Sequence, residues 1–182
     1  MRIQKDNIVI RSATSDDAVQ LNQWWNDGKI MGDVGFTNGL GEPLEDTIKN
    51  IKSRDSELNQ LCIIEIDSKP IGEFSYTVKT DNAAYPGWKI CDRDYQNKGY
   101  GSKIIQMTLE YLFSDESINS KISVEKIIWD TMLENKRAQH VYENKIGAGK
   151  VGIKKDCWKD QLGNLRSGVD YEISREEFSN AR

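Results

Sequence analysis

The sequence predicts an α/β protein of the α+β kind: a single domain spanning residues 1–182, with a mixed, mostly antiparallel sheet flanked by helices. Three features carry that expectation. Phe74, Tyr76 and Val78 alternate with Glu73, Ser75 and Thr77, the period of a half-buried strand. Residues 99–113 carry Ile104, Ile105, Thr108, Leu109 and Leu112 on one stripe at helical spacing, with Gly101 at its start. Runs of the two kinds follow one another as β-α-α-β-β-β-α-β-α-β-β, with no repeat, low-complexity tract or linker between them.

Each element has its own local reason. Ile8, Val9 and Ile10 form a first apolar strand. Thr14 followed by Asp17 is a capping pair that starts a helix over 15–26, with Ala18, Leu21 and Trp25 on its inner face and Asp27-Gly28 as its stop. Segment 31–42 is glycine-rich and aperiodic, so it reads as a loop. Pro43 suits a first helical position before Leu44, Ile48 and Ile51. Leu61–Ile66 is a β-rich run, and the turn chemistry of Asp67–Pro70 folds it into a hairpin with the alternating strand. A further strand over 83–91 leads into the glycine turn before the long helix. Val124–Trp129 gives the next strand, Asn135 caps a short helix with Ala138, Val141 and Tyr142 on one face, and two β runs near 149–157 and 168–174 close the chain around the turn-rich Asp160–Asn164.

Composition excludes several classes of function. Twenty-five Lys and Arg against 29 Asp and Glu leave a net charge of −4, without the clustered positive charge that nucleic-acid binding needs. The one histidine, His140, and the scattered Cys62, Cys91 and Cys157 supply no metal-site spacing, so no metal is expected. Three unpaired cysteines in a chain of this size indicate reduced thiols and a cytoplasmic location. The amino-terminal residues lack the apolar region of a signal peptide, and no run approaches the about 18 apolar residues of a membrane span.

The stretch that carries chemistry is Gln96-Asn97-Lys98-Gly99-Tyr100-Gly101-Ser102, between a strand and the strongest helix. Such a turn presents backbone N–H groups beside the unpaired donors of a helix N-terminus, where the dipole favours anionic oxygen. Glycine lets the backbone approach a phosphate because no Cβ intervenes. The physics points to a phosphate or pyrophosphate site, or to a glycine turn that only reverses the chain. The spacing fits neither the dinucleotide fingerprint nor the P-loop.

Gln96-x-x-Gly99-x-Gly101 resembles the acyl-CoA signature of the GCN5-related N-acetyltransferase (GNAT) superfamily, and Asn135-x-x-Ala138-x-x-x-Tyr142-Glu143 resembles that superfamily's second block, in order and at suitable spacing. The likeness extends over nearly the whole chain, closest to the branch of ribosomal-protein and aminoglycoside acetyltransferases. One position departs: Ala148 stands after Gly147 where the family usually has an aromatic residue. The resemblance implies a central sheet that splays between its fourth and fifth strands, with acetyl-CoA as the cofactor held in the opening. It assigns Gln96, Asn97, Lys98, Gly99, Tyr100, Gly101 and Ser102 to the pyrophosphate, an amide near Cys91 to the thioester carbonyl, Asn135 to the pantetheine side and Tyr142 to protonation of the departing thiolate. Asn135 is equally accounted for as a helix cap, and Tyr142 as core.

The reaction implied is acetyl transfer to a primary amine by direct attack, since nothing in the sequence activates Cys91 as a nucleophile. Asp130 is the first candidate for the base that accepts the amine's proton, because a subset of the family that acetylates aminoglycosides has an Asp at that spacing. Glu73 is second and Asp92 third. The acceptor is expected near residues 15–54, where Trp24 and Trp25 mark the cleft rim or the core and Asp27, Asp33, Glu42 and Glu45 bring negative charge. A cationic small molecule or a peptide N-terminus suits these residues, and a homodimer is compatible with the family. Two alternatives stand beside this reading: an aminoglycoside 6′-N-acetyltransferase specifically, and a non-catalytic coenzyme A-binding sensor.

Overall fold

A computed structural model describes residues 1–180. Nine strands form one sheet, β1 (Arg2–Lys5), β2 (Ile8–Ser12), β3 (Asp55–Ser56), β4 (Asn59–Ile66), β5 (Lys69–Lys79), β6 (Ala83–Ile90), β7 (Lys126–Met132), β8 (Gly149–Lys159) and β9 (Leu165–Ser174). Their order is β1-β2-β4-β5-β6-β7-β9-β8, with β3 beside β4. The helices are α1 (Ala18–Asn26), α2 (Gly28–Met31), α3 (Leu44–Ser53), α4 (Tyr100–Ser114), α5 (Glu116–Asn119), α6 (Lys136–Val141) and α7 (Arg175–Asn180), and α6 runs on into a π-helical turn over Tyr142–Ile146.

Both faces of the sheet are covered at β4, and that is why Leu61–Ile64 are apolar without a break. Cys62, Ile64 and Ile66 point into a large core with Phe74, Tyr76, Ile104 and Leu109, beneath α4. Leu61 and Ile63 point the other way, into a smaller core with Leu21, Trp24 and Trp25 of α1. A strand buried on both sides loses its period-two pattern.

Several boundaries differ from the sequence expectation. β1 is an additional strand: only Ile3 is partly buried, so no alternation marks it. Pro43 lies one residue before α3 in an extended conformation, at ψ 148°, and Leu44 opens the helix. The stretch read as a loop contains the end of α2 and a 3-10 turn over Gly32–Val34, both too short to show a period.

The feature that positions the site is the junction of β6 and β7. All other neighbours in the main order are antiparallel, whereas these two are parallel and pair only at Ala83↔Lys126 and Ala84↔Ile127. Beyond that point β7 stays with β9 through Met132↔Gly168, and β6 stays with β5 through Ile90↔Gly72. The sheet therefore splays. Just past β6, Cys91 donates to Ile71 O at 2.8 Å, so by antiparallel alternation the polar groups of Pro86, Trp88 and Ile90 face the gap. Pro86 brings no N–H there, as a proline in a strand requires.

Gly72 sets the approach of β5 to β6: a Cβ at this position would lie 2.1 Å from Lys89 O. Gly72→Ala should force the two strands apart and lower stability by about 1–3 kcal/mol, read as a shift of the denaturant midpoint.

Candidate active site

A cleft of about 640 Å³ occupies the splay, with Trp88 and Ile90 on one wall, Trp129 and Asp130 on the other, and Tyr142 between. Its geometry is set by the groups that each strand and turn leaves unpaired.

At one end is the glycine turn. Asp92 accepts from Asp94 N and caps a 3-10 turn over Arg93–Tyr95, after which Asn97 and Gly99 take left-handed φ of 58° and 81°. No described residue accepts a hydrogen bond from the backbone N–H of Asn97, Lys98 or Gly99, and α4 adds the donors of its first turn. The space a Cβ would take at Gly99 is open within 4 Å, and at Gly101 the nearest atom is Ile90 Cδ1 at 3.9 Å. These unspent donors and this room fit a pyrophosphate.

The individual side chains of the turn divide. Gln96 spends its side chain inside the protein: its Nε2 donates to Ile90 O at 2.8 Å and its Oε1 accepts from Arg137 at 2.9 Å. It braces the end of β6, the turn and α6. Ser102 Oγ donates back to Gly99 O at 3.0 Å. Gln96, Asn97, Gly99, Gly101 and Ser102 line the cleft, whereas Lys98 and Tyr100 lean on Tyr95, with the Lys98 ammonium 6.0 Å from its ring.

The carbonyl-binding amide expected near Cys91 needs a correction of one residue. Cys91 N and Asp92 N both donate to Ile71 O, at 2.8 and 3.0 Å, and are spent. The amide that faces the gap is that of Ile90, since alternate residues of a strand point their N–H groups to opposite edges. The Cys91 thiol is buried, and burial followed by the Glu73 charge pushes its pKa up, away from the thiolate.

On the opposite wall, Tyr142 opens the π-helical turn. Its ring packs edge-on against Tyr171 and Trp129, at 5.2 and 5.5 Å, and no described residue bonds its hydroxyl. Burial, then the Asp130 charge, pushes its pKa up to about 12, so it holds its proton. Glu143, next in the chain, accepts from Tyr171 at 2.6 Å and so fastens the turn to β9. Ala148, at the departure from the family pattern, is buried, and its N–H closes the turn on Tyr142 O at 2.9 Å. Asn135 is the cap of α6, its Oδ1 accepting from Ala138 N at 3.1 Å, and it also lines the cleft.

The three carboxylates considered from the sequence differ in their partners. Asp130 faces the cleft without an ion pair, and its concave surroundings, then Asp170, raise its pKa. Glu73 also reaches the cleft but accepts from Trp25 Nε1 at 2.7 Å and lies 3.8 Å from Lys89 Nζ. Asp92 is tied to Lys69 at 2.7 Å, whose ammonium holds its carboxyl below the usual range, and it lies off the cleft wall. Trp24 is buried in the smaller core and does not line the cleft; Trp25 is also buried and acts on it through Glu73. Asp33 is exposed at the mouth.

Residues outside the two family motifs complete the walls. Trp88 and Trp129 meet at 5.7 Å, with the Trp129 Nε1 buried and unpaired. Trp158 packs over Gly35, and beyond it Gln161 bonds Gly35 O, Asn38 N and Gly39 O at 2.8–2.9 Å, closing the β8–β9 hairpin onto the 35–39 loop. No local periodicity reports contacts between segments so distant. Among the described residues no cluster of His, Cys, Asp or Glu is arranged to hold a metal, and no helix is long and apolar enough to cross a membrane.

A family model described as an acetyltransferase (GNAT) domain matches residues 7–148. The chain is similar to the solved acetyltransferase (GNAT family) from Bacillus anthracis, with 25% identity and a TM-score of 0.76 over 97% of this chain and 100% of that one. The fold also matches spermidine N-acetyltransferase from Vibrio cholerae in complex with CoA and spermine, at 18% identity and a TM-score of 0.82 over 97% and 100% of the two chains. A ribosomal L7/L12 alpha-N-protein acetyltransferase in complex with coenzyme A matches at 14% identity and 0.81, over 97% and 99%. No curated protein matches the sequence.

The hairpin closure carries a pH dependence. Burial alone raises the Asp160 carboxyl, but hydrogen bonds from Asn164, the Leu162 amide and Arg166 outweigh it and hold the pKa at about 2, against 3.8 unperturbed. A depressed carboxyl stabilises fully above its unfolded value, and that stabilisation is lost as pH falls through the folded one. Amide protection in residues 160–164, measured as exchange relative to the intrinsic rate at each pH, should therefore fall between pH 4 and pH 2, and Asp160→Asn should show the lower protection already at pH 7.

Proposed function

The chain belongs to the GNAT acetyltransferase family, and on that premise we propose that it transfers an acetyl group from acetyl-CoA to a primary amine by direct attack in a ternary complex. The observation that carries this reading is the splay itself. One opening joins unspent turn amides to an unengaged tyrosine hydroxyl and an unpaired carboxylate. The complexes of the spermidine and L7/L12 acetyltransferases with coenzyme A support the choice of cofactor. We take residues 1–182 as one domain and, from its unpaired thiols, place it in the cytoplasm.

Acetyl-CoA supplies, when bound, a thioester that an amine can attack. The amides of Asn97–Gly99 and the first turn of α4 hold its pyrophosphate, where helix dipole and N–H groups favour anionic oxygen. The open edge of β6 takes the pantetheine arm as an added strand, and the Ile90 N–H is placed to receive the carbonyl oxygen as negative charge develops on it. Asp130 takes the proton that makes the acceptor amine a nucleophile. As the new C–N bond forms and the C–S bond breaks, Tyr142 would give its proton to the leaving sulfur, and the second proton that the nitrogen sheds on becoming an amide would restore the Tyr142 hydroxyl. A pKa raised to about 12 keeps Tyr142 protonated at neutral pH, as an acid needs.

The acceptor enters past Asp33 and Asp130, which favours a cationic amine. A polyamine, an aminosugar of the aminoglycoside kind and a peptide N-terminus all meet that requirement, and the relatives that acetylate spermidine and an L7/L12 α-amine span two of the three. The sensor alternative has less support, because a site for binding alone has no use for the unengaged Tyr142 hydroxyl. Release of coenzyme A thiol over a panel of such amines tests the activity; binding without release from any of them would favour the sensor.

Two substitutions separate binding from turnover. Gly99→Trp places a side chain at a left-handed φ in the space reserved for phosphate, and should weaken acetyl-CoA more than tenfold by calorimetry. Tyr142→Phe should leave that affinity nearly unchanged and lower kcat by about 10²–10⁴-fold.

A further inference from the structure

Asp130 on β7 and Asp170 on β9 are direct partners in the antiparallel register. Like charges placed opposite one another on a strand pair repel, so the arrangement costs stability unless something offsets it. One of the two is offset. Lys154 on β8 bonds Asp170 at 2.7 Å, while Asp130 has no ion pair and lines the cleft. The ladder explains the reach of Lys154: Gly152 pairs with Asp170 and Lys154 with Gly168, so Lys154 is the diagonal neighbour of Asp170 across a position with no side chain. Its own side chain is 64% exposed, against 21% for that of Asp170, and neither residue lines the cleft.

Resting on the reading of Asp130 as the proton acceptor, we propose that Asp170 and Lys154 are positioning residues for acetyl transfer, Asp170 keeping Asp130 basic and Lys154 limiting how far. Asp170 acts through its negative charge on the neighbouring strand; Lys154 binds Asp170 and leaves Asp130 to the cleft. Other charged and titratable groups line the same cleft: Tyr142 and Lys145 from the π-helical turn, Arg137 and His140 from α6, Glu73 and Lys89 from β5 and β6, and Lys29, Asp33, Cys91 and Arg93 from the segments beside them. Glu73 is engaged by Trp25 and Lys89, which leaves Asp130 as the more available base. The direction of the Asp130 pKa agrees: after burial, Asp170 is the next cause that raises it, and Lys154 lowers it. A carboxylate raised toward the working pH is a better base than an ordinary one.

The test is the acidic limb of the kcat–pH profile, measured on the full chain with acetyl-CoA and one amine acceptor saturating. Asp170→Asn removes a negative neighbour and should move the limb to lower pH by about half to one unit. Lys154→Met removes a positive one and should move it to higher pH by a similar amount. These opposite shifts are the signature, since a purely structural role lowers the rate without moving the limb in two directions. Lys154 is exposed, so its variant reports even where Asp170→Asn folds poorly. Asp130→Asn separates the base from the residues that tune it. If it leaves the limb in place, the assignment of the base fails and this inference with it. If it abolishes the limb while Asp170→Asn and Lys154→Met leave it unmoved, or shift it the same way, the inference alone is overturned.

Discussion

Two parallel residue pairs, Ala83 with Lys126 and Ala84 with Ile127, are the constraint on which the cleft depends. They hold β6 and β7 together at one end and let each follow its antiparallel neighbour at the other. Had the ladder continued, the Trp88 and Ile90 amides would be spent on β7, and no opening would part the two strand backbones. A parallel pair needs a long crossover, and here that crossover contains α4, whose N-terminus arrives at the mouth of the gap. The same connection thus closes the sheet and delivers the turn amides.

The site is best described by which polar groups the fold has used. Cys91 and Asp92 amides, the Gln96 side chain, the Asn135 Oδ1 and both oxygens of Asp160 are committed within the protein. The amides of Asn97, Lys98 and Gly99, the Tyr142 hydroxyl and the Asp130 carboxylate are not. Of these only the Tyr142 hydroxyl belongs to a buried residue, where desolvation without a partner is costly; the others open to solvent with their bonding capacity free for a ligand. Their concentration along one cleft is what makes it a site. Trp129 adds an indole N–H to the same set.

Much of this was readable from local pattern, and the exceptions have a common cause. The helix over 99–113 appears as α4 at Tyr100–Ser114, and the alternation at Phe74, Tyr76 and Val78 lies within β5. Glycine spacing located the turn because the left-handed φ of Gly99 is a property of one residue and its neighbours. What local pattern missed depends on register. Whether the amide of Ile90 or of Cys91 faces the gap is decided by the pairing of Ile71, twenty residues earlier, and Asp170 meets Asp130 only because β7 and β9 align. Trp24 and Trp25 posed the same difficulty: both are buried in the core shared with Leu61 and Ile63, and only the bond to Glu73 gives Trp25 a bearing on the cleft.

The π-helical turn at Tyr142–Ile146 has a consequence for how the chain tolerates change in length. Such a turn is an α-helix carrying one residue more than its hydrogen-bond ladder requires. Deleting a residue from it would return the segment to ordinary α-helical register and rotate α6 relative to β8 by about 100°. Tyr142 now lines the cleft with its ring against Tyr171, while Glu143 accepts from the Tyr171 hydroxyl. The surplus residue keeps both engagements at once, so at this one place the length of the chain is as much a part of the site as its side chains.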